Sequence, residues 1–276
     1  MEVSFQQFLT VLGLTAIAGL ATGVGGLFAF FSRPGARSEG PFLSAALGLS
    51  GGVMVFISLA ELFPEARRML TGEHGVAHGG TVAILVLAAG MLVTALIDRL
   101  VPEVENPHHV RSEDEFNRAG TADAEERRRL GRSGLLFALA IGIHNFPEGM
   151  ATFAGGLSGP EVAWPLTFAI ALHNIPEGIA VAVPIFYATN SRRKALAVSL
   201  LSGLAEPAGA LIGFLILLPF LTPAVLAMMF ALVAGVMIYI TFDELLPMAE
   251  TYGKHHIVLA GLLGGMILMG LGMELF

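Results

Sequence analysis

The chain has 276 residues, of which 55% are apolar and 13% are charged, and it contains 34 glycines and no cysteine. This composition lies outside the range of soluble globular domains and is typical of an integral membrane protein. The net charge of −7 gives no basic footprint for nucleic acid, and the lack of cysteine excludes disulfides and thiolate metal ligands.

Runs of mostly apolar residues long enough to cross a hydrocarbon core, about 20 residues each, occur eight times. They are too long for strands and lack the alternation of an outer-membrane barrel. The first run has no positively charged start, so we expect a retained helix rather than a signal peptide. The sequence therefore predicts an all-α integral membrane protein with one polytopic domain over residues 1–276. The predicted spans are 6–31, 42–63, 81–98, 134–158, 162–187, 195–220, 222–246 and 257–275.

Basic residues are distributed unevenly between the two sides of the predicted membrane. Of the 15 lysines and arginines, 13 fall in the loops that follow spans 1, 3, 5 and 7. The positive-inside rule places those loops in the cytoplasm and both termini outside. The longest loop, at about 99–133, is polar and charged, which predicts a flexible or partly helical cytoplasmic segment without a core of its own.

Two segments of the chain resemble each other across its length. GVMVFISLAELFPEA at 52–66 matches GVMIYITFDELLPMA at 235–249 at eight of fifteen positions. The two segments belong to spans 2 and 7, which cross the membrane in opposite directions, and this is the signature of an inverted repeat. Spans 3 and 8 align more weakly, from Gly90 and Gly265. We therefore predict a 3+2+3 inverted-repeat bundle with spans 4 and 5 at its centre.

Spans 4 and 5 each contain a polar hexapeptide, HNFPEG at 144–149 and HNIPEG at 173–178. On a helix the histidine, asparagine and glutamate of each motif project into one arc. The proline lacks an N–H, so we expect each helix to kink and to free a carbonyl beside the carboxylate. The six candidate ligands are His144, Asn145, Glu148, His173, Asn174 and Glu177.

Charged side chains at the bilayer centre cost roughly 2.5–3.5 kcal/mol each, and two facing glutamates would also repel each other. Spans 4 and 5 contain no lysine or arginine, so protons or a cation must neutralise the glutamates. A divalent cation could bind imidazole nitrogen, amide oxygen and free carbonyls as well as the carboxylates. Nitrogen and oxygen ligands without sulfur favour Zn²⁺, Fe²⁺, Mn²⁺ or Co²⁺ over Ca²⁺.

Four other residues are weaker candidates. Glu206 precedes Pro207 in span 6 and is a third intramembrane carboxylate that could bind a second metal or carry a proton. Met54 in span 2 is a thioether that could lie near the path, although core packing is the commoner role of methionine. Glu61 and Glu244 are predicted near helix ends, where a solvated cap and a role in transport are equally compatible with the sequence.

With these motifs the sequence resembles the ZIP (Zrt/Irt-like) family of metal-ion transporters, most closely its bacterial ZupT-like branch. The resemblance covers nearly the whole chain and implies transport of Zn²⁺, with Fe²⁺, Mn²⁺, Co²⁺ and Cd²⁺ as further substrates, across the bacterial inner membrane into the cytoplasm. It also implies a binuclear site at mid-membrane. The first ion would be bound by His144, Glu148 and Glu177, with His173 and Met54 as further candidates. The second would be bound by Asn145, Asn174 and Glu206, with Glu148 and Glu177 bridging.

Two alternatives remain open from the sequence. A proton-coupled carrier of a small organic solute would need an aromatic or basic substrate contact, whereas Trp164 lies at a helix end and arginine is absent from the spans. An intramembrane metalloenzyme would need a motif such as H-E-x-x-H or paired Glu-x-x-His, which the predicted membrane helices lack. We therefore expect no enzyme and no catalytic cofactor, with metal as the transported substrate. The sequence leaves open whether the protein forms a homodimer.

Overall fold

The computed structural model describes residues 4–31, 40–74, 76–100, 124–217, 220 and 222–274. These residues form helices joined by turns, and no strand occurs among them. Within this described part of the chain, seven helices are long and apolar enough to cross a membrane. An eighth, Ala124–Ser158, has 35 residues, or about 52 Å of helix at 1.5 Å a residue, so it is also long enough to cross. The prediction of an all-α polytopic membrane protein is confirmed.

Each predicted span corresponds to one of these eight helices. Residues 101–123, which make up most of the predicted cytoplasmic loop, lie outside the described residues, and the fourth helix begins at Ala124 inside that loop. We number the helices α1 Phe5–Phe30, α2 Gly40–Gly72, α3 His78–Arg99, α4 Ala124–Ser158, α5 Pro160–Thr189, α6 Arg192–Ile216, α7 Pro223–Tyr252 and α8 His255–Met273.

Local capping residues fix several of the helix ends. The Ser4 hydroxyl accepts from the backbone of Gln7 and the Gln7 side chain accepts from that of Ser4, a capping box that starts α1. Ser191 and Thr222 cap α6 and α7 through their hydroxyls. After α5 the chain turns at Asn190, whose φ of 51° lies in the left-handed region that asparagine tolerates.

α2 and α7 are each interrupted by a π turn, at Ser58–Leu62 and Thr241–Leu245. Pro64 and Pro247 follow these turns, and the sequence prediction ended the two spans just before them, at 63 and 246. Those two ends are wrong, because both helices continue past the proline. A proline has no N–H to donate four residues back, and a wide turn directly before it absorbs the missing bond without ending the helix.

Glycines bring four helices into contact in two equivalent seams. In each seam an added Cβ on the glycine would overlap a backbone carbonyl of the facing helix, so only glycine permits the approach. The pairs are Gly52–Leu262 and Gly265–Leu49 between α2 and α8, and Gly235–Leu87 and Gly90–Leu232 between α7 and α3. The same aligned positions of the two repeats therefore meet in both seams, which supports the repeat assignment.

α5 is the most buried of the seven helices, and α3 and α8 are the least buried. α5 packs against α1, α2, α4 and α6, so the HNIPEG motif lies in the interior of the bundle. α4 packs against α5 and α6, which places the HNFPEG motif beside it. The two motifs therefore lie beside each other in the interior of the bundle.

Candidate metal centre

The two hexapeptides meet in one buried cluster between α4 and α5. The His144 Nε2 lies 3.1 Å from a carboxylate oxygen of Glu148 and 3.7 Å from one of Glu177. The His173 Nε2 lies 3.2 Å from the same oxygen of Glu148. His144, the most exposed of the four side chains, is only 3% exposed. The histidine and the glutamate of each helix share one arc, and the two arcs face each other, so the four side chains form one group.

The geometry of this group is compatible with a bound metal ion. One ligand atom each of His144, His173 and Glu177 can be chosen so that all lie within 4.8 Å of one another. Nitrogen and oxygen ligands bind zinc at about 2.0–2.2 Å, so two ligands of one ion are about 3.4 Å apart in a tetrahedral site. Small side-chain movements would bring the three atoms to that spacing. One carboxylate oxygen of Glu148 also contacts the Nε2 atoms of both histidines.

The glycine that ends each motif lets a third helix approach the cluster. An added Cβ on Gly149 would overlap the backbone of Glu206 in α6, and one on Gly178 would overlap that of Thr22 in α1. Two further glycines make the reciprocal contacts, Gly209 with Phe146 and Gly25 with Ile175. The α4–α6 and α5–α1 contacts are therefore equivalent, and Glu206 occupies the position that Thr22 has in the other half.

Glu206 and Asn174 form a second polar group next to the first. The Asn174 amide nitrogen donates to the Ala18 carbonyl at 2.9 Å and to a carboxylate oxygen of Glu206. Glu206 is fully buried and close enough to Glu148 and Glu177 to interact with them electrostatically. Asn145 is also fully buried, and neither of its amide atoms has a hydrogen-bond partner. The predicted second set of residues is thus interior, with Asn174 and Glu206 in direct contact.

Many polar atoms of these residues are buried without a hydrogen-bond partner. They include both oxygens of Glu177, one of Glu206, the Asn174 amide oxygen and Nδ1 of His144. Burying unpaired carboxylates is costly unless a charge compensates them. No lysine or arginine is among the buried residues of the described chain, so the compensation must come from protons or a cation. This matches the argument made from the sequence.

Met54, a candidate ligand from the sequence, lies next to Thr241 of α7 in the structure. Its side chain is completely buried in α2, and its sulfur lies 3.7 Å from the Thr241 hydroxyl of α7, which donates its proton to the Met237 carbonyl at 2.8 Å. This contact joins the two repeat helices α2 and α7. A role for Met54 as a metal ligand stays a prediction.

Two further residues lie near the cluster: Ser50, which the sequence did not single out, and Glu244, for which the sequence left a cap and a role in transport as alternatives. The Ser50 hydroxyl of α2 donates to the His173 carbonyl at 3.2 Å, and its position four residues before Met54 was the available signal. Glu244 is 9% exposed and close enough to His144 and Glu177 to interact with them electrostatically. Glu244 lies in the π turn of α7 rather than near a helix end, because the helix continues past Pro247.

The other histidine side chains that the structure describes lie away from the cluster. His78 is exposed, and His108 and His109 fall outside the described residues. His255 contacts Glu250 at 2.6 Å on the surface, with His256 next to it.

Comparisons with known proteins place the whole chain in one family. A family model described as ZIP zinc transporter matches residues 8–273. A protein of Akkermansia muciniphila named zinc transporter ZupT is 55% identical over 272 residues, covering 98% of this chain and 99% of that protein. Proteins of the same name from Corynebacterium glutamicum and Streptococcus mutans are 52% and 46% identical, covering 97% and 98% of this chain and 99% of each relative. The chain therefore belongs to the ZIP zinc transporter family, as its motifs predicted.

Proposed function

We propose that this protein transports divalent metal ions, Zn²⁺ foremost, across the membrane into the cytoplasm through the buried centre between α4, α5 and α6. The observation that carries the proposal is the cluster of His144, Glu148, His173 and Glu177, whose ligand atoms converge in the interior of a membrane helix bundle. The relatives that cover the chain end to end are named zinc transporters. Fe²⁺, Mn²⁺, Co²⁺ and Cd²⁺ prefer overlapping ligands and are further candidate substrates.

We assign the residues to two adjacent ion positions. His144, His173, Glu148 and Glu177 would bind the first ion, and Asn145, Asn174 and Glu206 would bind the second, with Glu148 and Glu177 between them. The unpartnered oxygens of Asn174 and Glu206 support the second position. In this conformation all seven side chains are at most 3% exposed, so an ion reaches them only if helices move, as alternating access requires.

The two alternatives receive less support. The family is one of transporters, which argues against an intramembrane enzyme. A carrier of an organic solute would use an aromatic or basic contact inside the bundle, whereas Trp164 is 50% exposed at the start of α5. The buried polar residues consist instead of imidazoles, carboxylates, amides and hydroxyls, which fit a small cation.

The orientation follows from charge. If the loops rich in arginine lie in the cytoplasm, both termini lie outside it. We assign the protein to the inner membrane of a bacterium. The sequence leaves the oligomeric state open, and a mass measurement of the purified protein in detergent distinguishes a monomer from a homodimer.

Zinc uptake into sealed liposomes containing the purified full chain tests the proposal. We expect the wild type to transport Zn²⁺ and the double variant Glu148→Gln, Glu177→Gln to leave flux at the level of empty liposomes. Glu161→Gln is the matched control, because Glu161 is exposed at the start of α5 and lies outside the cluster. Equal flux in the wild type and the double variant would contradict the proposal.

Thermal unfolding in detergent gives an independent readout of binding. An ion that binds only the folded protein at a concentration 100-fold above Kd stabilises it by about 2.7 kcal/mol. Zinc should therefore raise Tm of the wild type and of Glu161→Gln, and should leave Tm of Glu148→Ala unchanged.

A further inference from the structure

Thr22 in α1 has a fully buried hydroxyl without a hydrogen-bond partner in the described part of the chain. A threonine inside a helix ordinarily donates this proton to the carbonyl four residues earlier. Eight of the described threonines do so, and among them Thr15, on the same helix, donates to Val11 at 2.9 Å. Thr22 departs from this pattern, so something outside its own helix has displaced its hydroxyl.

Asn174 of α5 occupies the carbonyl that Thr22 would use. The Asn174 amide nitrogen donates to the Ala18 carbonyl at 2.9 Å and, from the same nitrogen, to a carboxylate oxygen of Glu206. A carbonyl oxygen has two lone pairs, and since the N–H groups of the helix use the other one, none is left for the hydroxyl. A side chain on a helix leans toward the preceding turn, which directs the Thr22 side chain toward Ala18 and thus toward Asn174 and Glu206.

Thr22 is the counterpart of Glu206 in the internal symmetry of the bundle. Gly19 of α1 and Gly203 of α6 face each other, and an added Cβ on either one would overlap the carbonyl of the other. Such a reciprocal contact is expected where two equivalent helices cross at the axis of the repeat. Thr22 and Glu206 each lie three residues beyond the facing glycine, and an added Cβ on Gly203 would come within 2.9 Å of the Thr22 Cβ. α1 and α6 therefore present a hydroxyl and a carboxylate from equivalent positions.

The polar atoms around this crossing need a partner that the protein itself does not supply. One oxygen of Glu206, the amide oxygen of Asn174 and both amide atoms of Asn145 are buried without a hydrogen bond, like the Thr22 hydroxyl. Buried polar groups are costly when unpaired, and the oxygens among these are ligands that a divalent cation accepts. The Thr22 hydroxyl thus belongs to the same unsatisfied group as the residues of the second ion position.

A hydroxyl suits this place because it is neutral. The Thr22 backbone packs against Gly178, the residue after Glu177, so α1 lies directly beside the carboxylates of the centre. Glu148, Glu177 and Glu206 already bring three buried carboxylates together. A fourth would add repulsion between like charges, whereas a hydroxyl oxygen adds a ligand without adding charge.

We propose that Thr22 is a neutral oxygen ligand of the second ion position, opposite Glu206. The ion is held from α6 by a carboxylate and from α1 by a hydroxyl, with Asn145 and Asn174 between them. The hydroxyl keeps its proton and binds the ion through a lone pair. The inference rests on the proposed function, since it names a further ligand of the same centre.

A cysteine substitution tests for direct contact with the ion. The chain contains no cysteine, so Thr22→Cys introduces its only thiol. A thiolate bound to Cd²⁺ gives a charge-transfer band in the ultraviolet, and titrating the purified full-length variant with Cd²⁺ should produce this band. Thr15→Cys is the matched control and should give none, because Thr15 is equally buried on the same helix but donates to its own backbone.

Removing the hydroxyl tests the affinity of the second position. Thr22→Val keeps the shape of the side chain, and loss of a supporting group at a metal site costs about tenfold or more in affinity. In equilibrium dialysis against zinc, Thr22→Val should raise the Kd of one of two bound ions about tenfold and leave the other unchanged. Thr22→Ser should restore the wild-type value, and Thr15→Val should bind zinc as the wild type does. A retained zinc-induced rise in Tm shows that each variant is folded.

Two results would overturn the role of Thr22: a folded Thr22→Cys variant with no more Cd²⁺ absorbance than Thr15→Cys, or zinc affinities of Thr22→Val equal to those of Thr15→Val. If Thr22→Cys does not fold, the dialysis of Thr22→Val decides. A wild type that binds a single zinc ion would remove the second position and the inference with it. A wild type that binds and transports no zinc would instead contradict the proposed function itself.

Discussion

Replacing Gly149 by alanine tests the packing that brings α6 to the candidate centre. An added Cβ would lie 2.7 Å from the Cα of Glu206 and overlap its carbonyl, whereas ordinary contact begins at 3.4 Å. The obstacle is backbone rather than a flexible side chain, so the two helices must separate. Overpacking of this kind costs about 1–3 kcal/mol.

For a chain of this size, that cost corresponds to a decrease in Tm of about 2–5 °C. Displacement of α6 also moves Glu206 away from Asn174, so the zinc-induced rise in Tm should become smaller. Thermal unfolding of the purified protein with and without zinc measures both effects.

Gly13→Ala in α1 is the matched control, because an added Cβ there meets nothing within 4 Å. Alanine has a higher helix propensity than glycine, so this variant should be as stable as the wild type or slightly more stable. If Gly149→Ala unfolded at the same temperature as Gly13→Ala, with the same response to zinc, the α4–α6 contact would not support the centre.

Three other changes test neighbouring features. Gly178→Ala should lower Tm by an amount similar to that of Gly149→Ala, because its Cβ would overlap the Thr22 backbone in the equivalent contact. Ser50→Ala removes the hydrogen bond to the His173 carbonyl and should cost about 0.5–1.5 kcal/mol, seen as a fall in Tm of a few degrees that Ser50→Thr partly restores. Removing metal from the wild type with a chelator should lower Tm, and re-adding zinc should restore it; a Tm indifferent to both would contradict metal binding at the centre.

The sequence predicts most of the first ion position because that position depends on local geometry. His144 and Glu148 are four residues apart on one helix, and this spacing alone brings them to 3.1 Å. The convergence of α4 and α5 followed from the duplicated motif at the centre of the repeat. Glu206 could be named from its proline and its small neighbours, but its contact with Asn174 depends on how closely α6 approaches.

Other features depend on packing across the chain and could not be read locally. Pro64 and Pro247 indicated helix ends, yet both helices continue past the proline after a π turn, so Glu244 lies within α7 rather than at its end. Asn145 and Asn174 occupy equivalent positions in the two motifs, yet only Asn174 meets a carboxylate. The difference arises because α6 supplies Glu206 on one side of the cluster, whereas α1 supplies Thr22 at the equivalent position on the other side.

The glycine seams have a consequence for how the protein must fold. In each seam the second helix of one repeat packs against the third helix of the other, α2 with α8 and α7 with α3. Neither half of the chain can therefore complete its own packing: the halves are interlocked, much like exchanged arms in a domain-swapped dimer. α2 and α3 reach their final contacts only after the last two helices have been synthesised, so the assembly of the bundle is a late, cooperative event rather than a stepwise stacking of hairpins.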